Sequence, residues 1–129
     1  MSNEQPDHLH LEVPWLLQLA EQITGDPQAN DFGPLFAAVS RHSAVAMGRD
    51  VYGSLWLKAG ALLETLSRLR TLEHSNRQFA LMAAIAFLQV NGHSVNFPPK
   101  EAAILVRDVA EGDKSVVDAA RALRDWAAT

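Results

Sequence analysis

The stretch LSRLRTLEHSNRQFALMAAIAFLQVNG, residues 66–92, decides how this chain folds. Its second half holds ten consecutive apolar residues, 79–88, closed by Asn91 and Gly92. A run of that length built on Ala, Leu and Met predicts a helix rather than a strand. It is apolar on every side, so other helices should surround it. It is too short and too rich in Ala to span a bilayer. Gly92 suits the left-handed conformation that ends a helix. At the front, Ser75 or Asn76 can cap the helix by placing a side-chain oxygen on a free backbone N–H. The polar group His74, Ser75, Asn76, Arg77 and Gln78 therefore stands where the helix begins. Helix starts present unpaired N–H donors and the positive end of the dipole, which favours anions.

Upstream, Leu55, Ala59, Leu62, Leu63, Leu66 and Leu69 recur at steps of three and four, predicting an amphipathic helix that starts at Ser54 and delivers Arg70 to the turn. Before it, residues 41–53 are irregular, with Gly48 and Gly53. A helix near Asp31 and Pro34 should bury Leu35, Phe36, Ala38 and Val39, with His42 as a cap at its C-terminal end. Pro14 opens the first helix, whose stripe is Val13, Leu16, Leu17, Ala20 and Ile23. Residues 25–33 read as a surface loop. Ahead of Pro14, Leu9, Leu11 and Val13 alternate with polar residues, as in an extended lead-in. His8 and His10 read there as solvent-facing positions rather than a metal pair. Downstream, Pro98 and Pro99 open a fifth helix burying Ala102, Ala103, Leu105, Val106 and Val109 and ending at Gly112. Ser115 and Asp118 resemble a capping box for a last helix that buries Val116, Ala120, Leu123 and Ala127, with Trp126 beside them.

These readings give an all-α bundle of about six helices around a central apolar helix, joined by short connections. At 129 residues the chain suits one domain, 1–129, with residues 1–8 frayed. A hydrophobic content of 48% with 20% charged residues is a globular balance. The net charge of −4 argues against general nucleic-acid binding. The absence of cysteine excludes disulfides and thiolate metal sites. The polar, acidic N-terminus shows no signal peptide, so a cytoplasmic location and no membrane association are expected. No phosphate-loop, dinucleotide or Ser-His-Asp pattern occurs.

The stretch also resembles the Fic/Doc family, in particular its Doc (death-on-curing) branch. That family's motif reads His-x-Phe/Leu-x-Asp/Glu-Gly/Ala-Asn-Lys/Gly-Arg, followed by an apolar helix ending FLxxNG. Here the frame reads Arg70-Thr71-Leu72-Glu73-His74-Ser75-Asn76-Arg77-Gln78, and Phe87-Leu88-Gln89-Val90-Asn91-Gly92 closes the helix. Leu72, Ser75 and Asn76 match in kind. The family's base His is Arg70, its metal-binding acid is His74, its Lys is Arg77 and its last Arg is Gln78. The resemblance covers residues 9–126 and implies the same bundle. It makes the segment holding Gly48, Asp50 and Tyr52 a flap, a loop or hairpin that grips target segments by strand addition; an ordinary connecting loop is the other reading.

The resemblance implies transfer of a phosphate or nucleotide group to a protein hydroxyl. In the family the His removes the hydroxyl proton, the acid holds magnesium on ATP or another nucleotide, and Asn, Lys and Arg contact the phosphates. Elongation factor Tu is the implied Doc target, and a small antitoxin, folding a segment into a groove beside the site, is the implied partner. An arginine has no lone pair with which to serve as base, so Arg70 cannot do the family's chemistry. A ring nitrogen at His74 is a poor substitute for the oxygen ligands magnesium prefers. Gln78 offers an amide where a guanidinium fork would bind phosphate. Asn76, Arg77 and Gln78 remain candidates for holding phosphate or another anion; surface ion pairs among Arg70, Glu73 and Arg77 are the alternative.

Three functions follow as expectations. The leading one is a Doc-like toxin–antitoxin protein inactive in the standard reaction, with no metal ligand and no certain cofactor; ATP or another nucleotide with magnesium enters only if activity is retained. The second is an enzyme of altered chemistry on a phosphorylated or anionic substrate, with His74, Glu73 or a flap residue as base. The third is a protein-interaction module using exposed aromatics.

Overall fold

In the computed structural model, which describes residues 8–128, the chain forms six α-helices and one short hairpin. The expectation for residues 1–7 lies outside the described residues. The helices are α1 (Val13–Glu21), α2 (Gly33–His42), α3 (Leu55–Arg68), α4 (Asn76–Val90), α5 (Pro99–Glu111) and α6 (Val116–Asp125). Strands β1 (Val45–Ala46) and β2 (Arg49–Asp50) pair antiparallel, with Val45 opposite Asp50. The all-helical bundle read from the sequence is the fold, with a hairpin where the flap was expected.

Local signals explain most boundaries. Proline stands in the first turn of α1, α2 and α5, where its missing N–H costs nothing. The Ser54 hydroxyl accepts from the Leu57 N–H at 3.1 Å and starts α3. Ser115 and Asp118 form the reciprocal capping box of α6. Met47 and Gly48 both have positive φ, 53° and 78°, the requirement of a tight two-residue hairpin turn. Gly92 ends α4 at φ 91°.

The centre of the bundle belongs to α3, which packs against α2, α4, α5 and α6. Residues 58–66 are buried without interruption. Only a helix enclosed on all sides can do this, and the amphipathic stripe read from its leucines understates it. The apolar α4 buries Phe79, Ala80, Ala83, Ala84, Phe87 and Leu88, yet Leu81, Met82, Ile85 and Ala86 are only half-buried. Gly60 lets α6 approach α3: a Cβ there would lie 2.7 Å from the Val116 carbonyl oxygen.

Several core expectations need correction. Phe36 is exposed, because Leu35, Ala38 and His42 define the inner face of α2 and Phe36 lies off it. Leu69 is exposed, because the backbone leaves the helix there in an extended conformation. Ala103 also faces outward. Leu19 and Ala119 join the core instead, as do Pro27 of the α1–α2 loop and Leu11 of the extended lead-in. No helix among the described residues is long and apolar enough to cross a membrane.

Candidate functional site

The site is the turn between α3 and α4, and two sets of hydrogen bonds fix it. The α1–α2 loop lies against it as an isolated antiparallel bridge between Ala29 and Leu72. The Asn30 N–H donates to the Thr71 carbonyl at 2.8 Å and the Glu73 N–H donates to the Gln28 carbonyl at 3.0 Å. The Thr71 hydroxyl donates to the Asp31 carbonyl at 2.8 Å, and the Gln28 N–H donates to Glu73 Oε1 at 2.7 Å. From the other side, Asn76 Oδ1 accepts from the N–H groups of Thr71 and Leu72 at 3.0 and 2.9 Å. Its Nδ2 donates to the Leu72 carbonyl at 3.0 Å.

Asn76 therefore spends its side chain on holding the turn, and the expected cap on α4 does not form. Ser75, at the N-cap position, takes a left-handed conformation with φ 66° and its side chain caps nothing. The Ser75 hydroxyl instead lies 2.8 Å from His74 Nδ1. The first amides of α4 thus have no side-chain acceptor among the described residues and point out of the helix end. Holding the turn with Asn76 is what keeps these donors open.

Around the amides lies an open depression of about 460 Å³ lined by Ser67, Arg68, Arg70, His74, Ser75, Asn76 and Arg77. Arg70, which the resemblance places at the family's base position, donates from its guanidinium to the Glu73 carbonyl at 2.6 Å. The His74 ring rests over Gly25, where an added Cβ would meet ring atoms at 3.4 Å. Arg77 reaches across to Glu111 of α5 at 3.5 Å, both side chains half-exposed. The expected ion pairs among Arg70, Glu73 and Arg77 are thus replaced: Arg70 bonds a carbonyl, Glu73 takes the Gln28 amide, and Arg77 pairs with α5. Gln78 does not line the depression; it faces a neighbouring apolar groove of about 490 Å³, shared with Arg77 and walled by Leu81, Phe97, Pro99, Ile104 and Arg107 among others.

Arg68 also lines the depression, a position that the sequence reading missed. Its Nε donates to the Val109 carbonyl at 2.9 Å, and its guanidinium lies 3.3 Å from Glu64. The spacing of Glu64 and Arg68, four residues on one helix, was the available signal. Glu64 also holds Arg41 at 2.7 Å. Arg41 Nε in turn donates to the Tyr52 hydroxyl at 2.8 Å, with the guanidinium 5.5 Å from the ring centre. A chain of polar contacts therefore runs from Tyr52, next to the hairpin, to the wall of the depression. Gly48 and Asp50 lie outside the depression; Asp50 bonds Lys58 of α3 at 2.9 Å, which holds its carboxyl below the usual carboxylate range.

His42 ends α2 as expected, but not as a charged cap. Its Nδ1 donates to the Ala38 and Val39 carbonyls at 2.9 Å each, and its Nε2 accepts from the Leu11 N–H at 3.1 Å. Burial pushes its pKa down to about 4, so the ring is neutral near pH 7. His8 and His10 are not solvent-facing either: His8 Nδ1 and His10 Nε2 lie 2.9 and 3.2 Å from the Lys58 ammonium.

The turn does not fit the family's magnesium. The residue that the resemblance places at the metal-binding acid is His74, and the Glu73 carboxylate is engaged by a backbone amide. Among the described residues no group of three His, Cys, Asp or Glu converges on a metal position. What the turn offers is cationic and donor-rich: three guanidinium groups around a helix start.

No protein-family model matches the chain. It is 38% identical over 106 residues to the Toxin Doc of Mycolicibacterium smegmatis (strain ATCC 700084 / mc(2)155), across 81% of this chain and 82% of that protein.

Proposed function

This chain belongs to the Doc toxin family, and from that premise we propose that it is the toxin-type member of a toxin–antitoxin pair whose transfer reaction has been silenced while an anion site survives at the start of α4. The observation that carries the reading is Arg70. A hydroxyl nucleophile needs a proton acceptor, and this position holds only donors, one of them committed to the Glu73 carbonyl. His74 is not a ready substitute, since its Nδ1 is engaged with Ser75 and its ring packs on Gly25. The open amides of α4 with Arg68, Arg70 and Arg77 supply the charge complement of a phosphate or carboxylate group.

The test is direct. The purified chain is incubated with magnesium and γ-labelled or α-labelled ATP, with and without elongation factor Tu. The expected result is no label on either protein, and weak ATP or phosphate binding that falls at least about tenfold in Arg77→Ala, roughly the share of one charge-assisted pair. Label transfer that disappears in His74→Ala overturns the reading in favour of an enzyme with altered chemistry. The triple variant Arg70→His, His74→Asp, Gln78→Arg restores the family's base, acid and fork, and should regain transfer.

The apolar groove supports the partner half of the proposal. Leu81, Phe97 and Ile104 are partly or largely exposed in it, and Arg77 spans groove and depression alike. An antitoxin segment with apolar anchors and a carboxylate would bury the groove and reach the anion site at once. Co-purification with the product of the adjacent gene, lost in Ile104→Asp, is the expected result; association unchanged by that substitution sinks the placement.

A further inference from the structure

Residues 8–11 lie extended against the bundle as a strap before α1, and three of their polar fastenings share one chemistry. The Leu11 N–H is accepted by Nε2 of His42 on α2. The ammonium of Lys58 on α3, itself buried, is met by Nδ1 of His8 and Nε2 of His10. The Leu9 N–H and carbonyl also pair with the Asn91 side chain of α4 at 2.9 Å each, and the Leu11 side chain is buried in the core. An ammonium has three hydrogens and no lone pair, and a backbone N–H only donates. Each of the three imidazole nitrogens must therefore be the acceptor, which a protonated ring cannot be.

We propose that residues 8–11 form a proton-released strap, held down by three imidazole lone pairs and let go when His8, His10 and His42 take up protons. The arrangement leaves no way to keep the bonds after protonation. At His10 and His8 an imidazolium would face Lys58, cation against cation. At His42 a second N–H would face the Leu11 N–H. The two rings that flank His10 do not rescue it. The His10 ring lies 5.1 Å from His42, edge to face, and 6.4 Å from Phe87 of α4; Phe87 has no lone pair, and the Nε2 lone pair of His42 is already given to the Leu11 N–H. Among the described residues Asp50 of β2 is the one carboxylate on Lys58, at 2.9 Å. It would keep Lys58 on the hairpin while the strap leaves. The burial that holds His42 neutral near pH 7 agrees with a strap closed at that pH. Release would uncover Lys58 and the foot of the hairpin, so the proton controls access to the side of the molecule that carries the flap.

The experiment is hydrogen exchange on the full chain between pH 7.5 and pH 5.0, corrected for the intrinsic pH dependence of exchange. The amides read are Leu9 and Leu11 in the strap and Leu62 and Leu63 in α3. Protection at Leu9 and Leu11 should fall by more than about tenfold per pH unit in the acid part of the range, the signature of more than one linked proton. Protection in α3 should hold. In His8→Gln, which changes a half-buried position at the strap's edge, the fall should become shallower. In His8→Gln with His10→Gln it should shrink to the one-proton slope of His42. Flat protection at Leu9 and Leu11, a fall in step with α3, or a slope unchanged in His8→Gln would each overturn the proposal.

Discussion

His42 gives the sharpest quantitative prediction. Its ring is fully buried, its Nδ1 hydrogen is shared between two carbonyls, and its Nε2 lone pair holds the Leu11 N–H. Burial is the largest cause of its low pKa, about 4 against 6.5 for a free imidazole. The unfolded chain therefore takes up a proton more readily than the folded one between those values. Above pH 6.5 both states are neutral and the linkage is silent. As pH falls from 6.5 toward 4, stability is lost at up to about 1.4 kcal/mol per pH unit; below that the folded state protonates too and the slope fades. The total is about 3 kcal/mol, a large part of a small domain's stability. The assay is urea unfolding followed by helical circular dichroism at pH 7.5, 6.5, 5.5 and 4.5, for the wild type and His42→Gln. The variant should be the less stable at pH 7.5, since it disturbs a buried acceptor, by about 1–3 kcal/mol. By pH 4.5 that gap should close or reverse, because only the wild type has the linked proton to take up. Parallel profiles across the whole range would refute the reasoning.

Other substitutions probe the bundle and the turn. Gly60→Ala places a methyl against the Val116 carbonyl at the α3–α6 crossing and should lower stability by about 1–3 kcal/mol in chemical unfolding. Asn76→Ala removes three hydrogen bonds and leaves the Thr71 and Leu72 amides without their acceptor; a loss of about 2–4 kcal/mol is expected, together with faster exchange at both amides. Glu64→Ala leaves Arg41 and Arg68 without their shared carboxylate, and thermal unfolding should report a cost of about 1–3 kcal/mol. Ser115→Ala breaks the capping box of α6 and should cost about 1 kcal/mol, with no change in anion binding at the distant turn.

Signals that act within a few residues were legible in the sequence. Ser54, Ser115 with Asp118, Gly92, Gly112 and the prolines at three helix starts mark boundaries because capping, positive φ and a fixed ring are local properties. The kinship was legible too, since Leu72, Asn76 and the Phe87–Gly92 frame match the family's pattern. Burial was less so. Phe36 and Leu69 look like core residues until the directions of α2 and of the chain after α3 are known. Lys58 and Glu64 look like surface charges on the outer face of a helix, yet both are enclosed.

The roles of the polar residues were decided by contacts distant in the chain. Lys58 meets His8 and His10 across 50 and 48 positions, and His42 meets Leu11 across 31. Asn76 became a clamp on the turn rather than a cap, because Thr71 and Leu72 are also held from outside by the α1–α2 loop. The amino-acid sequence by itself determined the helices and their order, because both depend on residue type and near neighbours. Only the tertiary structure decided that α3 rather than α4 lies in the middle, which arginines gather at the start of α4, and that three histidines share the N-terminal strap. Those facts follow from how the helices close on one another, and packing places side chains that spacing along the chain does not relate.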